Sequence, residues 1–162
     1  MWLSDRRTFL LMALAVAGCG FTPAYGPGGG AAGLLEGVAP DTPNTRDEFA
    51  LVRRLSERLG PAQTARYRLG YAIRTDTTGQ AITPDNVTTR YSLNGVATYT
   101  LRDAGSDAVL LTGEVTSFTS WSATGSTLST LTAEGDARTR LMRMLADQIV
   151  TRLLASAGSL PK

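Results

Sequence analysis

The sequence predicts an α+β two-layer sandwich, with an about four-stranded mixed sheet and two helices packed on one of its faces. Three observations predict it. Between Arg66 and Thr119, apolar and polar residues alternate with period two over three long stretches. A capped amphipathic helix pattern precedes those stretches and a longer one follows them. A short apolar run ahead of the first helix supplies one more strand, so the order is strand–helix–strand–strand–strand–helix.

The chain starts with an export signal, residues 1–18. Arg6 and Arg7 precede an apolar run from Phe9 to Ala17, which at nine residues is far shorter than a membrane span. The run ends in Val16-Ala17-Gly18-Cys19. This resembles a bacterial lipobox, which implies a diacylglycerol thioether on Cys19, cleavage before it and acylation of the new amine. Acyl chains at one site make a durable anchor, each buried CH₂ contributing about 0.8 kcal/mol. Gly20, rather than Asp, stands after the cysteine and favours the outer membrane over the inner one. Ser4-Asp5-Arg6-Arg7-Thr8-Phe9-Leu10 also resembles a twin-arginine signal, and ordinary Sec export fits the same residues.

Residues 19–33 read as a flexible tether, with Pro23, Pro27 and a glycine cluster. Gly28 to Gly33 matches GxGxxG literally, but no strand precedes it, so it carries no dinucleotide site. Residues 34–162 form the single folded domain. Leu34 to Ala39 is predicted as a strand, and Pro40 and Pro43 bracket a turn. Asn44 or Thr45 caps a helix that runs to Leu59 and stops at Gly60-Pro61, with Asp47 and Glu48 in its first turn. Its predicted buried face is Phe49, Val52, Leu55 and Leu59, with Arg53, Arg54 and Arg58 turned to solvent.

The first long strand is read from Arg66 to Arg74, with Tyr67, Leu69, Tyr71 and Ile73 on one face. The second places Val87, Thr89, Tyr91, Leu93, Ala97, Tyr99 and Leu101 on that same face, and a hairpin turn spans Asp103 to Asp107. The third runs from Val109 to about Thr119, with Val109, Leu111 and Val115 continuing the pattern. There Phe118 breaks the alternation, which predicts either a bulge near Ser117 or an aromatic on the outer face. The stretch Ser122 to Thr132 is polar and ambiguous. From Ala133 a helix is clear, with Leu141, Leu145, Ile149 and Leu153 at spacing four.

Composition removes whole classes of chemistry. The 162 residues, 43% hydrophobic and 19% charged, suit one domain with a core. Histidine is absent, so there is no Ser-His-Asp triad and no imidazole acid–base or metal ligand. One cysteine excludes an intrachain disulfide and cysteine zinc sites, and the only lysine, Lys162, cannot serve a P-loop. The net charge of +2 is too small for a nucleic-acid footprint. No cofactor, metal or catalytic constellation is predicted. Glu114, mid-strand on the polar face, is assigned a structural pair with Arg102 or Arg90. Asn86-Val87-Thr88 matches a glycosylation sequon incidentally.

These parts assemble into a resemblance. The acylated start reads Cys19-Gly20-Phe21-Thr22-Pro23-Ala24-Tyr25-Gly26, and the capped helix holds Leu51-Val52-Arg53-Arg54-Leu55. The last helix runs from Arg138-Thr139-Arg140-Leu141 through Asp147-Gln148-Ile149. The chain resembles the lipopolysaccharide-assembly lipoprotein family LptE in its alphaproteobacterial form. The resemblance implies an outer-membrane lipoprotein without enzymatic activity. It would plug and help assemble the large export barrel LptD as a heterodimer, and help insert lipopolysaccharide into the outer leaflet. A polar sheet face suits a wet barrel lumen, and arginine forks suit the phosphates of lipid A. Arg90 is the first candidate for lipopolysaccharide binding, with Arg66, Arg68 and Arg74 beside it. Relatives often carry lysines in such places. The alternative is a stand-alone lipoprotein that binds a lipid or a secretion component.

Overall fold

The computed structural model describes residues 33–123 and 125–160. The predicted leader, Cys19 and the tether to residue 32 lie outside them. The elements are β1 (Val38–Pro40), α1 (Arg46–Leu59), β2 (Tyr67–Ile82), β3 (Thr88–Asp103), β4 (Val109–Ser122) and α2 (Thr127–Ser156), closed by a 3₁₀ turn at Ala157–Ser159. They form one sheet in the order β1-β2-β3-β4. β1 runs parallel to β2 after the α1 crossover, and β2, β3 and β4 form an antiparallel meander. The predicted fold class and element order hold.

Several boundaries move, each for a physical reason. The first strand is only three residues, because the preceding residues turn instead. Glu36 takes a left-handed φ of 59° and donates its N–H to Leu59 O at 2.7 Å. β2 extends eight residues past Arg74, to Ile82. The extension, Thr75 to Ile82, is exposed on both faces, so selection for burial left no alternation to read there. The ladder between β3 and β4 runs unbroken from Arg90↔Ser122 to Leu101↔Leu111, and its register shift lies at Leu101/Arg102, not near Ser117. Phe118 therefore stands on the outer face, 70% exposed.

α1 begins with a capping box. Thr45 Oγ1 accepts the Glu48 N–H at 3.2 Å, and the Glu48 carboxylate accepts the N–H groups of Asn44 and Thr45 at 2.6 and 3.3 Å. The buried stripe is Leu51, Leu55 and Leu59. Phe49, predicted as core, is 60% exposed. Two helical positions turn the chain by roughly 200°, so Phe49 faces away from Leu51.

α2 buries Leu141, Leu145, Ile149 and Leu153 as predicted, and adds Ala137, Met142, Ala146 and Val150. It starts earlier than Ala133, with Ser126 Oγ accepting the Ser129 N–H at 3.3 Å. Leu128 and Leu131 in its first turns are exposed. The two helices lie side by side and run in the same direction. Arg138 meets Asp47 at 3.3 Å near the start of α1, and Arg54 meets Asp147 at 3.0 Å further along. The Arg54 contact is a two-pronged fork, with its second nitrogen 3.1 Å from the other Asp147 oxygen. Arg54 was predicted as a solvated side chain, but it clamps the helix pair.

The core sits between these helices and one sheet face. Gly95 of β3 lets α2 approach, since a Cβ there would stand 2.8 Å from Leu141 Cδ2. At Gly113 of β4 a Cβ would stand 2.5 Å from the Tyr99 hydroxyl. Tyr91 stacks on Trp121 across β3 and β4, with ring centroids 5.2 Å apart.

Candidate functional site

The uncovered sheet face is the first place to seek a site. Strand alternation puts Arg68 and Arg74 of β2, and Arg90 and Arg102 of β3, on this face with a field of threonine, serine and asparagine. Arg68 and Arg102 stand directly opposite each other in the ladder. Their repulsion is relieved by Asp107, whose carboxylate lies 3.2 Å from Arg68 and 3.7 Å from Arg102. The turn that carries Asp107 is itself built. The Asp103 carboxylate accepts the Ser106 N–H at 2.8 Å, the Ser106 hydroxyl at 2.9 Å and the Gly105 N–H at 3.1 Å. These bonds, Ser106 first, hold the Asp103 carboxyl below the usual range.

The four predicted arginines do not converge. Arg66 precedes β2, and its guanidinium carbon lies 5.4 Å from the centroid of the Tyr67 ring. Arg74 is six residues beyond Arg68, about 20 Å along the strand. Arg90 is opposite Ala81 and Ser122, at the far end of the sheet. No ion pair engages Arg74 or Arg90 among the described residues, whereas Arg68 is held by Asp107. Glu114 is exposed opposite Thr98, and neither Arg102 nor Arg90 pairs with it. The predicted Glu114 pair is therefore absent: the register sets Glu114 opposite Thr98, four residues from Arg102 and eight from Arg90 along β3.

A second feature was not predicted. Along the outer edge of β4, side chains of α2 reach the free strand carbonyls. Gln148 Nε2 donates to Thr116 O at 3.0 Å, and Arg140 donates to Ser120 O at 3.3 Å. Beside them lies an open groove of about 500 Å³ lined by Thr119, Ser120, Arg140, Arg143 and Met144. Thr119 is buried and donates its hydroxyl to Ala137 O at 3.1 Å. The exposed ring of Phe118 stands on the adjacent strand position. Guanidinium groups next to a thioether suit an anionic group joined to an apolar chain. The signal was present in the sequence, because positions 140, 143 and 144 share one helix face.

Among the described residues no three His, Cys, Asp or Glu side chains group as metal ligands. No described helix is long and apolar enough to cross a membrane. Burial, then Glu48 and Asp41, push the Tyr71 phenol up to about 12, and its hydroxyl donates to Asp41 O at 3.2 Å.

Residues 35–153 match the family model LptE, described as lipopolysaccharide-assembly. No curated protein matches the chain. Among solved structures, a candidate lipoprotein from Caulobacter crescentus superposes with a TM-score of 0.68 at 22% identity, covering 83% of this chain and 99% of that one. The rare lipoprotein B of Shewanella oneidensis gives 0.54 at 11% identity, over 75% of this chain and 94% of its own. A minor lipoprotein of Acinetobacter baumannii gives 0.53 at 17% identity, over 77% and 92%. At these identities the structural likeness speaks for the fold.

Proposed function

The chain belongs to the LptE lipopolysaccharide-assembly family, and from that premise we propose that it is a lipid-anchored outer-membrane protein that plugs and helps assemble the export barrel LptD. Cys19 carries the anchor in this reading, and residues 20–33 form the tether. The domain then sits partly within the barrel lumen, facing the periplasm, and assists lipopolysaccharide insertion into the outer leaflet. It performs no catalytic step and takes no cofactor.

The observation that carries the reading is the two-sidedness of the domain. One sheet face is dry beneath α1 and α2, and the other is a field of short polar side chains with few acids. Such a face can stand against the water of a wide lumen without unpaired buried polar groups. Arg74 and Arg90 are the better candidates for lipid phosphates, because Arg68 is already bound to Asp107. Arg140 and Arg143, with Met144, offer a second amphiphilic surface.

The test is gentle detergent extraction of the tagged native protein, followed by mass spectrometry of what co-purifies. A large outer-membrane barrel in near one-to-one ratio is the expected result. Recovery of the acylated chain with no barrel overturns the reading and leaves the lipid-binding lipoprotein in its place.

A further inference from the structure

The groove beside β4 has donors beyond its lining side chains. Along α2, Arg140, Met144 and Gln148 stand at spacing four, so one helix stripe runs beside the strand edge. Gln148 and Arg140 hold the carbonyls of Thr116 and Ser120. Those bonds close the edge to an added strand, which would need the same acceptors. In an antiparallel ladder the N–H and C=O of one residue point to the same side. Thr116 and Ser120 therefore turn their N–H groups outward too, and so does Phe118 between them. No described strand lies beyond β4 to take them. Outward backbone donors thus stand next to two guanidinium groups.

Neither arginine meets an acid. Asp147, one turn after Arg143, is clamped by Arg54 and Arg58 at 3.0 and 3.5 Å. Asp136, one turn before Arg140, forms no ion pair with it among the described residues. Between the arginines the surface is softer. The Met144 thioether accepts the Ser117 hydroxyl at 3.8 Å. Trp121, two residues past Thr119 on the same sheet face, is 7% exposed. Its indole N–H is the one buried side-chain polar group without a partner among the described residues. A buried donor of this kind calls for an acceptor from outside the described chain.

We propose that this groove binds lipid A, the phosphorylated and acylated end of lipopolysaccharide, with one phosphate on Arg140 and Arg143 and one acyl chain over Met144. The identity of the lipid rests on the family reading; the place and the part recognised are added to it. Charge selects the phosphate. A phosphomonoester carries about −1.5 to −2 near neutral pH, which suits two cations. The phosphodiester of an ordinary membrane phospholipid carries a single charge. Volume selects the chain. About 500 Å³ falls within the roughly 300–1,000 Å³ of small-ligand sites. It holds one chain beside its phosphate, and the other chains of lipid A stay outside. Arg74 and Arg90 stand on the opposite sheet face, so this site is separate from theirs.

The experiment titrates the full acylated chain, in non-ionic detergent, with lipid A and reads the fluorescence of Trp121. Trp2 belongs to the predicted leader, so the processed chain holds no other tryptophan. A saturable response is expected. Arg140→Glu combined with Arg143→Glu should weaken binding at least about tenfold, and Met144→Gln by a smaller factor. Arg46→Glu combined with Arg53→Glu, the same charge change on α1, should leave binding unaltered. Circular dichroism checks that each variant is folded. Lipid A stripped of its phosphates should bind at least about tenfold more weakly. Phosphatidylglycerol vesicles and inorganic phosphate should not displace it at equal concentration. No response from the wild type, or equal binding by the Arg140/Arg143 variant or by stripped lipid A, overturns the proposal. Displacement by phosphatidylglycerol or by inorganic phosphate also overturns it. The barrel reading is scored apart, because co-purification can fail while the titration succeeds, and the reverse.

Discussion

β2 has two halves that obey different rules, whereas its neighbour β3 stays buried on one face from Leu93 to Leu101. Towards Tyr67 and Leu101 one face of the strands is sealed by α1 and α2, and the alternating residues Leu69, Ala97 and Leu101 are completely buried. Towards Ile82 and Thr88 the same two strands run on as a ribbon exposed on both faces along β2. The backbone ladder is continuous through both halves. The difference shows that hydrogen bonding shapes this sheet while burial stabilises it. The covered half has a core to lose, and the β2 extension from Thr75 to Ile82 has none.

Substitutions should separate the halves. The largest effect belongs to Leu145→Ala, which empties a fully buried site beneath α2 and should cost about 2–5 kcal/mol in a chemical denaturation curve. Gly95→Val comes next. Its side chain would meet Leu141 Cδ2 and Leu145 Cδ1, within 2.8 and 3.2 Å of its first carbon. Overpacking of this kind should cost about 1–3 kcal/mol, and a wild-type melting temperature would show that α2 can shift away.

Tyr71 marks the border of the two halves and responds to pH. Its folded pKa is raised to about 12, above an unfolded value of about 10. The fold therefore favours the neutral phenol. That contribution is complete below the unfolded value and is lost as pH rises through about 12. Tyr71→Phe should flatten the alkaline limb of a stability–pH curve, and an unchanged limb would mean that another group controls it. The smallest effect belongs to Thr78→Ala in the ribbon. It should fall within about 0.5 kcal/mol of wild type, and a larger loss would show that the ribbon is held by contacts beyond this chain.

Legibility followed the same division. The leucines of α2 and the alternation of β3 were readable because burial imposed a period on them. The eight-residue extension of β2, Thr-Asp-Thr-Thr-Gly-Gln-Ala-Ile, was not readable because both its faces are wet. Phe49 shares a helical spacing with Val52, Leu55 and Leu59, which predicts a stripe one position off; Leu51, two residues on, defines the buried face. Phe118 was assigned two alternatives, and the ladder selects the exposed one. For the candidate site, the sequence identified arginines on the polar face but not their separation, which depends on strand length. Arg140 and Arg143 were visible on one helix face. Their groove depends on how α2 lies along β4, and only tertiary packing determines that.

The parallel placement of β1 carries a kinetic consequence. The β2–β3 and β3–β4 connections are short turns, whereas β1 reaches β2 only through the α1 crossover, from Pro40 to Tyr67. Closing a longer loop costs more entropy before any contact rewards it, so local hairpins form ahead of such crossovers. The meander and α2 are thus expected to assemble first and to provide the surface on which α1 and then β1 settle. Val38→Ala should accordingly speed unfolding and leave the folding rate nearly unchanged. Of the described chain, the part synthesised first is the part that finds its place last.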